Sequence, residues 1–113
     1  MEQHRETFND GFLEYGRNVT RRTEKGKRAG KEFIPEGKLA FRLMNARDSD
    51  YMFAGSMGSS LDLKIKTRFP PSFLNISKSD MLCVIDNNEF EVIKVDHDRE
   101  KRYLYFYLQK VGE

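Results

Sequence analysis

Leu61-Asp62-Leu63-Lys64-Ile65-Lys66-Thr67-Arg68-Phe69 alternates without a break. Leu61, Leu63, Ile65, Thr67 and Phe69 fall on one side; Asp62, Lys64, Lys66 and Arg68 fall on the other. A period of two over this length predicts a half-buried strand. Pro70 and Pro71 end it, because proline cannot donate to a sheet ladder. Downstream, Met81 to Ile85 is a short apolar run, followed by Asp86-Asn87-Asn88 and by Phe90, Val92, Ile93 and Val95. Two apolar runs about an Asn-rich turn predict a hairpin, since Asn tolerates positive φ. Asp96 to Lys101 makes a second polar turn. A last strand is expected from about Arg102 to Lys110, with Leu104, Phe106 and Leu108 on one face and Tyr103, Tyr105 and Tyr107 on the other.

Upstream the pattern is looser. Gly11 to Asn18 reads as a strand carrying Phe12 and Tyr15, and Lys38 to Asn45 as another with Leu39, Phe41 and Leu43 alternating. Between them, residues 19–37 contain Gly26, Gly30, Pro35 and Gly37 and read as a long hairpin loop. A second long loop is expected over 44–60, with a helical turn near Ser49 to Ala54 and a Gly/Ser-rich end. No segment is long enough to cover a sheet face as a helix, so closure of the sheet is expected. The expected fold is all-β: a small antiparallel β-barrel with two long loops, forming a single domain over residues 1–113.

Composition agrees with a thin core. Hydrophobic residues are 38% and charged residues 34%, against averages of about 45–50% and 25% in globular domains. Nine Phe and five Tyr argue against disorder. A single cysteine, Cys83, permits no intrachain disulfide and points to a reducing compartment. No apolar run approaches the ~18 residues of a membrane span, and the opening Met1-Glu2-Gln3-His4-Arg5-Glu6 is unlike a signal peptide.

The net charge of +2 is uneven. Arg17, Arg21, Arg22, Lys25, Lys27, Arg28 and Lys31 face only Glu24, a local +6 that leaves −4 elsewhere. Such a stripe suits a polyanion or an acidic protein surface; it also suits a solvated loop. The face of Tyr103, Tyr105 and Tyr107 can stack bases, line a protein interface or pack under a loop.

Enzymatic chemistry finds little support. Asp96-His97-Asp98 reads as a solvated turn rather than a metal site, and Cys83 as a buried thiol rather than a nucleophile. Gly26-Lys27-Arg28-Ala29-Gly30-Lys31-Glu32 lacks the spacing of a phosphate loop and places Glu32 where a metal-binding hydroxyl belongs. No metal, no cofactor and no catalytic set is expected.

The order of elements from Lys38 to Val111 resembles the bacteriophage head–tail joining family, the head-completion or stopper proteins of long-tailed phages. The resemblance rests on several features in sequence order. Leu39 to Met44 enters a loop bearing Asp48-Ser49-Asp50-Tyr51, and Ile65-Lys66-Thr67-Arg68-Phe69 precedes a proline break. Ile76 and Ser79-Asp80 lead into Met81 to Ile85, then come Asp86-Asn87-Asn88, Phe90-Glu91-Val92-Ile93 and Arg102-Tyr103-Leu104. The chain departs from the family in carrying Asn87 and Asn88 where glycine is common. Its N-terminal third matches only in outline.

The resemblance implies a non-enzymatic virion role at the head–tail interface, assembled in the bacterial host cytoplasm. Its implied partners are the portal and adaptor proteins, a tail-completion protein and, in passing, packaged double-stranded DNA. It implies a ring homo-oligomer, dodecameric in the virion, from a subunit that can be monomeric in isolation. The channel loop falls at 44–60, where Arg47, Asp48, Asp50, Tyr51, Phe53, Gly55 and Gly58 are the candidate residues. Met52 and Phe53 beside Tyr51 would pack between subunits or cap the barrel. The alternative is a stand-alone small-barrel nucleic-acid-binding protein using the basic loop and the tyrosine face.

Overall fold

The computed structural model describes the backbone of residues 7–22, 28–76 and 80–111, and their side chains except at 20–22 and 28–31. Among the described residues, six antiparallel strands close into a barrel in the order β1-β2-β3-β6-β5-β4. They are β1 (Gly11–Arg22), β2 (Arg28–Met44), β3 (Leu63–Arg68), β4 (Leu82–Ile85), β5 (Asn88–His97) and β6 (Tyr103–Lys110). A helix, α1 (Asp48–Ser56), lies between β2 and β3, and a 3-10 helix (Pro71–Asn75) follows β3.

The deciding alternation holds on the barrel's inner side from Leu63 to Phe69, whereas Leu61 lies before the strand and packs under α1 instead. Ile65 and Thr67 are fully buried, and Leu104, Phe106 and Leu108 meet them from β6 in the register Ile65↔Phe106. Leu13 and Phe41 from β1 and β2 and Cys83 and Ile85 from β4 fill the rest. Burial pushes the Cys83 thiol up to about 12, so it is packing rather than chemistry. One end is plugged by Phe73, held by the 3-10 helix and in edge contact with Tyr15, Phe69 and Phe106. The two prolines therefore do more than end β3: Pro71 opens the short helix that delivers Phe73.

The β4–β5 connection is a two-residue turn. Asp86 and Asn87 both take positive φ (49° and 66°), and Ile85 pairs with Asn88. That is the type I′ geometry matching strand twist, reached here without glycine. The β5–β6 turn is organised by Asp98, which accepts from the backbone N–H groups of Arg102 (2.6 Å) and Tyr103 (2.9 Å) and from Arg102 Nε (2.9 Å). Desolvation opposes ionisation there, but these hydrogen bonds outweigh it and hold the carboxyl at about 2.

Both long connections differ in content from expectation. The stretch 19–37 is strand over 19–22 and 28–37, so the strands begin and end well inside the expected loop. Proline and glycine are absorbed by a bulge: Tyr15 pairs with Gly37 but Gly16 with Pro35, leaving Glu36 extra. A Cβ at Gly37 would lie 2.8 Å from Cε1 of Tyr15, so glycine here makes room for the ring across the pair. Beyond this point Arg17 to Arg22 and Arg28 to Ile34 pair only with each other among the described strands. They form an arm off the barrel, and the molecule measures 66 × 30 × 25 Å. In the stretch 44–60 the helical turn expected near Ser49 to Ala54 is present and longer, as the nine-residue helix α1.

Candidate functional site

Helix α1 stands on the outer wall of the barrel, over β3 and β6. Its start is fixed by Asp50, whose Oδ2 accepts from the Arg47 backbone N–H (2.8 Å) and from Lys64 Nζ (3.0 Å). Burial raises the Asp50 pKa, but the Arg47 and Lys64 contacts outweigh it and leave the carboxyl below its ordinary range. Asp48 and Asp50 in the first turn also suit the positive end of the helix dipole. Gly58, at φ 71°, supplies the left-handed residue after the last turn, and Ser59 N–H returns to the Ala54 carbonyl (2.8 Å). Gly55 is inside the helix, with open space where a Cβ would stand.

Ala54 faces the barrel and packs with Leu61 and Tyr107, flanked by Ala46, Ile93 and Tyr105. The segment after the helix is pinned to β6: Ser60 N–H donates to Gln109 Oε1 (2.8 Å), and Asp62 Oδ2 accepts from Lys110 N–H (2.7 Å). The other side of α1 is apolar and exposed. Tyr51 is 53% accessible, Met52 74% and Met57 60%. Phe53 lies flatter, beneath the Lys94 ammonium at 4.4 Å from the ring centre.

Beneath and beside α1 runs a ladder of cations on aromatic rings. Strand register sets Lys64 opposite Tyr107, Lys66 opposite Tyr105 and Arg68 opposite Tyr103. Lys64 Nζ is 5.2 Å from the Tyr107 ring centre, and Lys66 Nζ is 4.1 Å from that of Tyr103. Phe8 stacks on Tyr103 at 6.0 Å and carries Arg68 at 5.1 Å. The tyrosine face is thus engaged within the chain: Tyr107 is buried, and Tyr103 and Tyr105 are half-buried. Packing under the second connection is the outcome at Tyr107, among the roles open to these three residues.

At the base of the arm, β1, β4 and β5 border a groove of about 720 Å³. Asp80, Glu89 and Glu91 line it with Leu82, Val92 and Val111. Asn18 closes its arm side and donates to Glu89 Oε1 at 3.0 Å.

Among the described residues no three His, Cys, Asp or Glu side chains gather as metal ligands. His97 is exposed, its Nδ1 lying 2.8 Å from the Asp98 carbonyl oxygen, while Asp96 pairs with Lys94 (3.1 Å) and Asp98 with Arg102 (2.9 Å). No helix among the described residues is long and apolar enough to cross a membrane.

The chain is similar in fold to a chain of the virion of a native gene transfer agent (GTA) particle. The TM-score is 0.52 at 17% identity, covering 90% of this chain and 94% of that one. At this identity the likeness is one of fold, and it runs end to end. No family model and no curated protein matches the chain.

The candidate residues are thus distributed over three places. Arg47, Asp48, Asp50, Tyr51, Phe53, Gly55 and Gly58 cluster on or around α1. Tyr103, Tyr105 and Tyr107 lie on the same outer wall. Of the basic residues, Arg22, Arg28 and Lys31 belong to the arm's paired backbone, with Arg22 opposite Arg28 and Thr20 opposite Lys31, and Arg21 lies at the irregularity between Thr20 and Arg22; their side chains, and Lys25 and Lys27 altogether, lie outside the described residues. Phe53 lies under the Lys94 ammonium, and the buried Phe73 plugs one barrel end. Lys64, Lys94 and the groove acids were not singled out by sequence. Lys64 carried a signal, standing on the polar side of a strand whose partner presents tyrosines.

Proposed function

We propose that this chain is a structural, non-enzymatic subunit of a phage-like virion, acting as a head–tail connector of the head-completion or stopper type. The observation that carries this reading is the end-to-end likeness of fold to a virion chain. The form of the 44–60 excursion supports it: a helix held to the barrel by the Lys64–Asp50 ion pair, the Lys94 ammonium on the Phe53 ring and a small apolar contact, with Tyr51, Met52 and Met57 turned outward. In this reading copies form a ring, dodecameric in the virion, below the portal and adaptor. Segment 44–60 acts at the DNA channel after packaging, and the opposite surface receives the tail-completion protein. Exposed apolar side chains on α1 meet a neighbour, as ring contacts between unlike patches require. The basic arm adds a surface for an anionic partner.

Nucleic-acid binding by the isolated chain is the second reading. It rests on the arm's charge, since the tyrosines are already engaged by Lys64, Lys66 and Phe8.

Deleting the gene from the particle that encodes it tests the proposal, with electron microscopy of the lysate and nuclease treatment of the heads. Separate heads and tails with nuclease-accessible DNA are expected. Normal infectious particles would overturn the connector reading.

A further inference from the structure

Two apolar patches lie on opposed walls of the barrel. The first is the outward stripe of α1. Asp48, Tyr51, Met52 and Gly55 follow the i, i+3, i+4, i+7 spacing that puts them on one helix face. Met52, at 74%, is the most accessible large apolar side chain among the described residues. A Cβ at Gly55 would meet nothing, so an aromatic ring can approach the helix backbone there. The second patch is on β1. Leu13 points into the core, so Phe12 beside it points out, and it is 60% accessible. Ala40 stands opposite Phe12 on β2, and Lys38 Nζ lies 4.9 Å from the Phe12 ring centre. Glu14 follows on the same outer face, in register with Lys38 on one side and Val84 on the other.

The two patches match in chemistry. A thioether packs favourably on an aromatic ring, and Met52 and Phe12 supply one each. Each apolar centre is flanked by one cation and one anion: Arg47 and Asp48 at the helix, Lys38 and Glu14 at the strand. Asp48 can therefore face Lys38 while Arg47 faces Glu14. Their placement prevents the two patches of one chain from meeting. In the closed order of strands β1 is opposite β6, and α1 stands over β3 and β6, so the barrel lies between them. Other exposed apolar side chains do not take the place of Phe12. Leu43 adjoins Met44, which leads into the α1 connection on the same side. Leu74 belongs to the 3-10 helix at the plugged end, where a contact would stack copies end on.

We infer that the α1 stripe of one copy packs on the Phe12 patch of a second copy, with Tyr51 and Met52 against the Phe12 ring and Asp48 beside Lys38. The contact joins unlike patches on opposed walls, so it is heterologous and repeats from copy to copy around a ring. It rests on the connector reading for its setting and deepens that reading by naming the surface that receives α1. Gene deletion tests the connector role on particles, whereas this contact is tested on the purified chain, so the failure of one is distinguishable from the failure of the other.

Sedimentation of the full chain is expected to show reversible self-association with a Kd of about 1 mM or below. Phe12→Ser and Met52→Ser, both at exposed positions, should each weaken it about tenfold. Together they should cost less than the product of the separate losses, the signature of groups that touch. A charge exchange adds a readout that a folding defect would not produce. Asp48→Lys and Lys38→Asp should each weaken association about threefold, and an equal mixture of the two chains should recover it, because each presents the charge the other lacks. Met52→Cys and Phe12→Cys chains, mixed and treated with a short bismaleimide, should join to each other in preference to themselves; Cys83 is fully buried and does not compete. A chain that stays monomeric over this concentration range overturns the inference. So does association that Phe12→Ser leaves unchanged, or linkage of Met52→Cys chains only to one another, which would show α1 meeting α1.

Discussion

Asp50 and Lys64 carry unequal burdens in one ion pair. Asp50 has a second partner in the Arg47 backbone N–H and sits where the helix dipole favours an anion. Lys64 is 8% accessible and rests its stem against Tyr107. Removing the carboxylate leaves an almost buried ammonium without its anion; removing the ammonium leaves an aspartate that still caps the helix. Asp50→Asn should therefore destabilise the chain by about 1–3 kcal/mol. Lys64→Met keeps the packing and should cost less than about 1 kcal/mol. Urea unfolding of the two variants checks the order, and equal losses would remove the asymmetry. The pH dependence has a definite sign. The folded carboxyl titrates below its unfolded value of 3.8. Its contribution is complete above that value and is lost as pH falls through the lower, folded one. Asn at position 50 should flatten this acid limb of the stability curve.

Gly16 decides whether the arm can leave the barrel in register. At the β1–β2 bulge the two backbones approach so closely that a Cβ on Gly16 would collide with the Ile34 carbonyl oxygen and lie 2.9 Å from the Pro35 Cα. Both neighbours are backbone, so neither yields by a rotamer change. Gly16→Ala should destabilise by about 2–4 kcal/mol and shift the amide resonances of Arg17 to Val19 more than those of β6. A change confined to the substituted residue would show that the bulge adapts. This element also marks the limit of what sequence alone revealed. The strands β3 to β6 were legible because β3 and β6 alternate, β4 is a short apolar run, and a proline break or an Asn/Asp turn separates each strand from the next. The arm was not, since Gly30, Pro35 and Gly37 read as loop residues when considered singly. Only the pairing shows that one bulge accommodates Pro35 and that Gly37 seats the Tyr15 ring. Helix α1 was under-read for a related reason. Its sequence is apolar on both sides, so no amphipathic period announces it, and Gly55 and Gly58 looked like flexibility where one is helical and the other ends the helix. The three tyrosines and the three cations of β3 were each visible as alternations; that they face each other follows from a register that neither strand states by itself.

At the scale of the whole molecule, stability is divided between two apolar clusters of unequal size. The barrel interior joins twelve buried residues: ten from the six described strands, Met81 just before β4, and Phe73 at its end. The cluster under α1 has three, Ala54, Leu61 and Tyr107, supplemented by the Lys64–Asp50 pair. Because opening free energy follows the contacts that must break, the two parts should open separately. Amides of α1 past its first turn should exchange through a sub-global opening, several kcal/mol below the global unfolding that exposes Ile65, Leu104 and Phe106. Hydrogen exchange followed residue by residue across increasing denaturant checks this. The α1 amides should show a shallow denaturant dependence, and those of β3 and β6 the full one. Ala54→Asp sharpens the test, since a carboxylate against Tyr107 should abolish α1 protection while leaving β6 protected. If α1 exchanges only with the barrel, the helix is part of the rigid body, and the 44–60 segment cannot change shape at a channel without unfolding the subunit. If it opens first, the closed barrel can stay folded while α1 rearranges. That is the mechanical property a channel-facing segment needs.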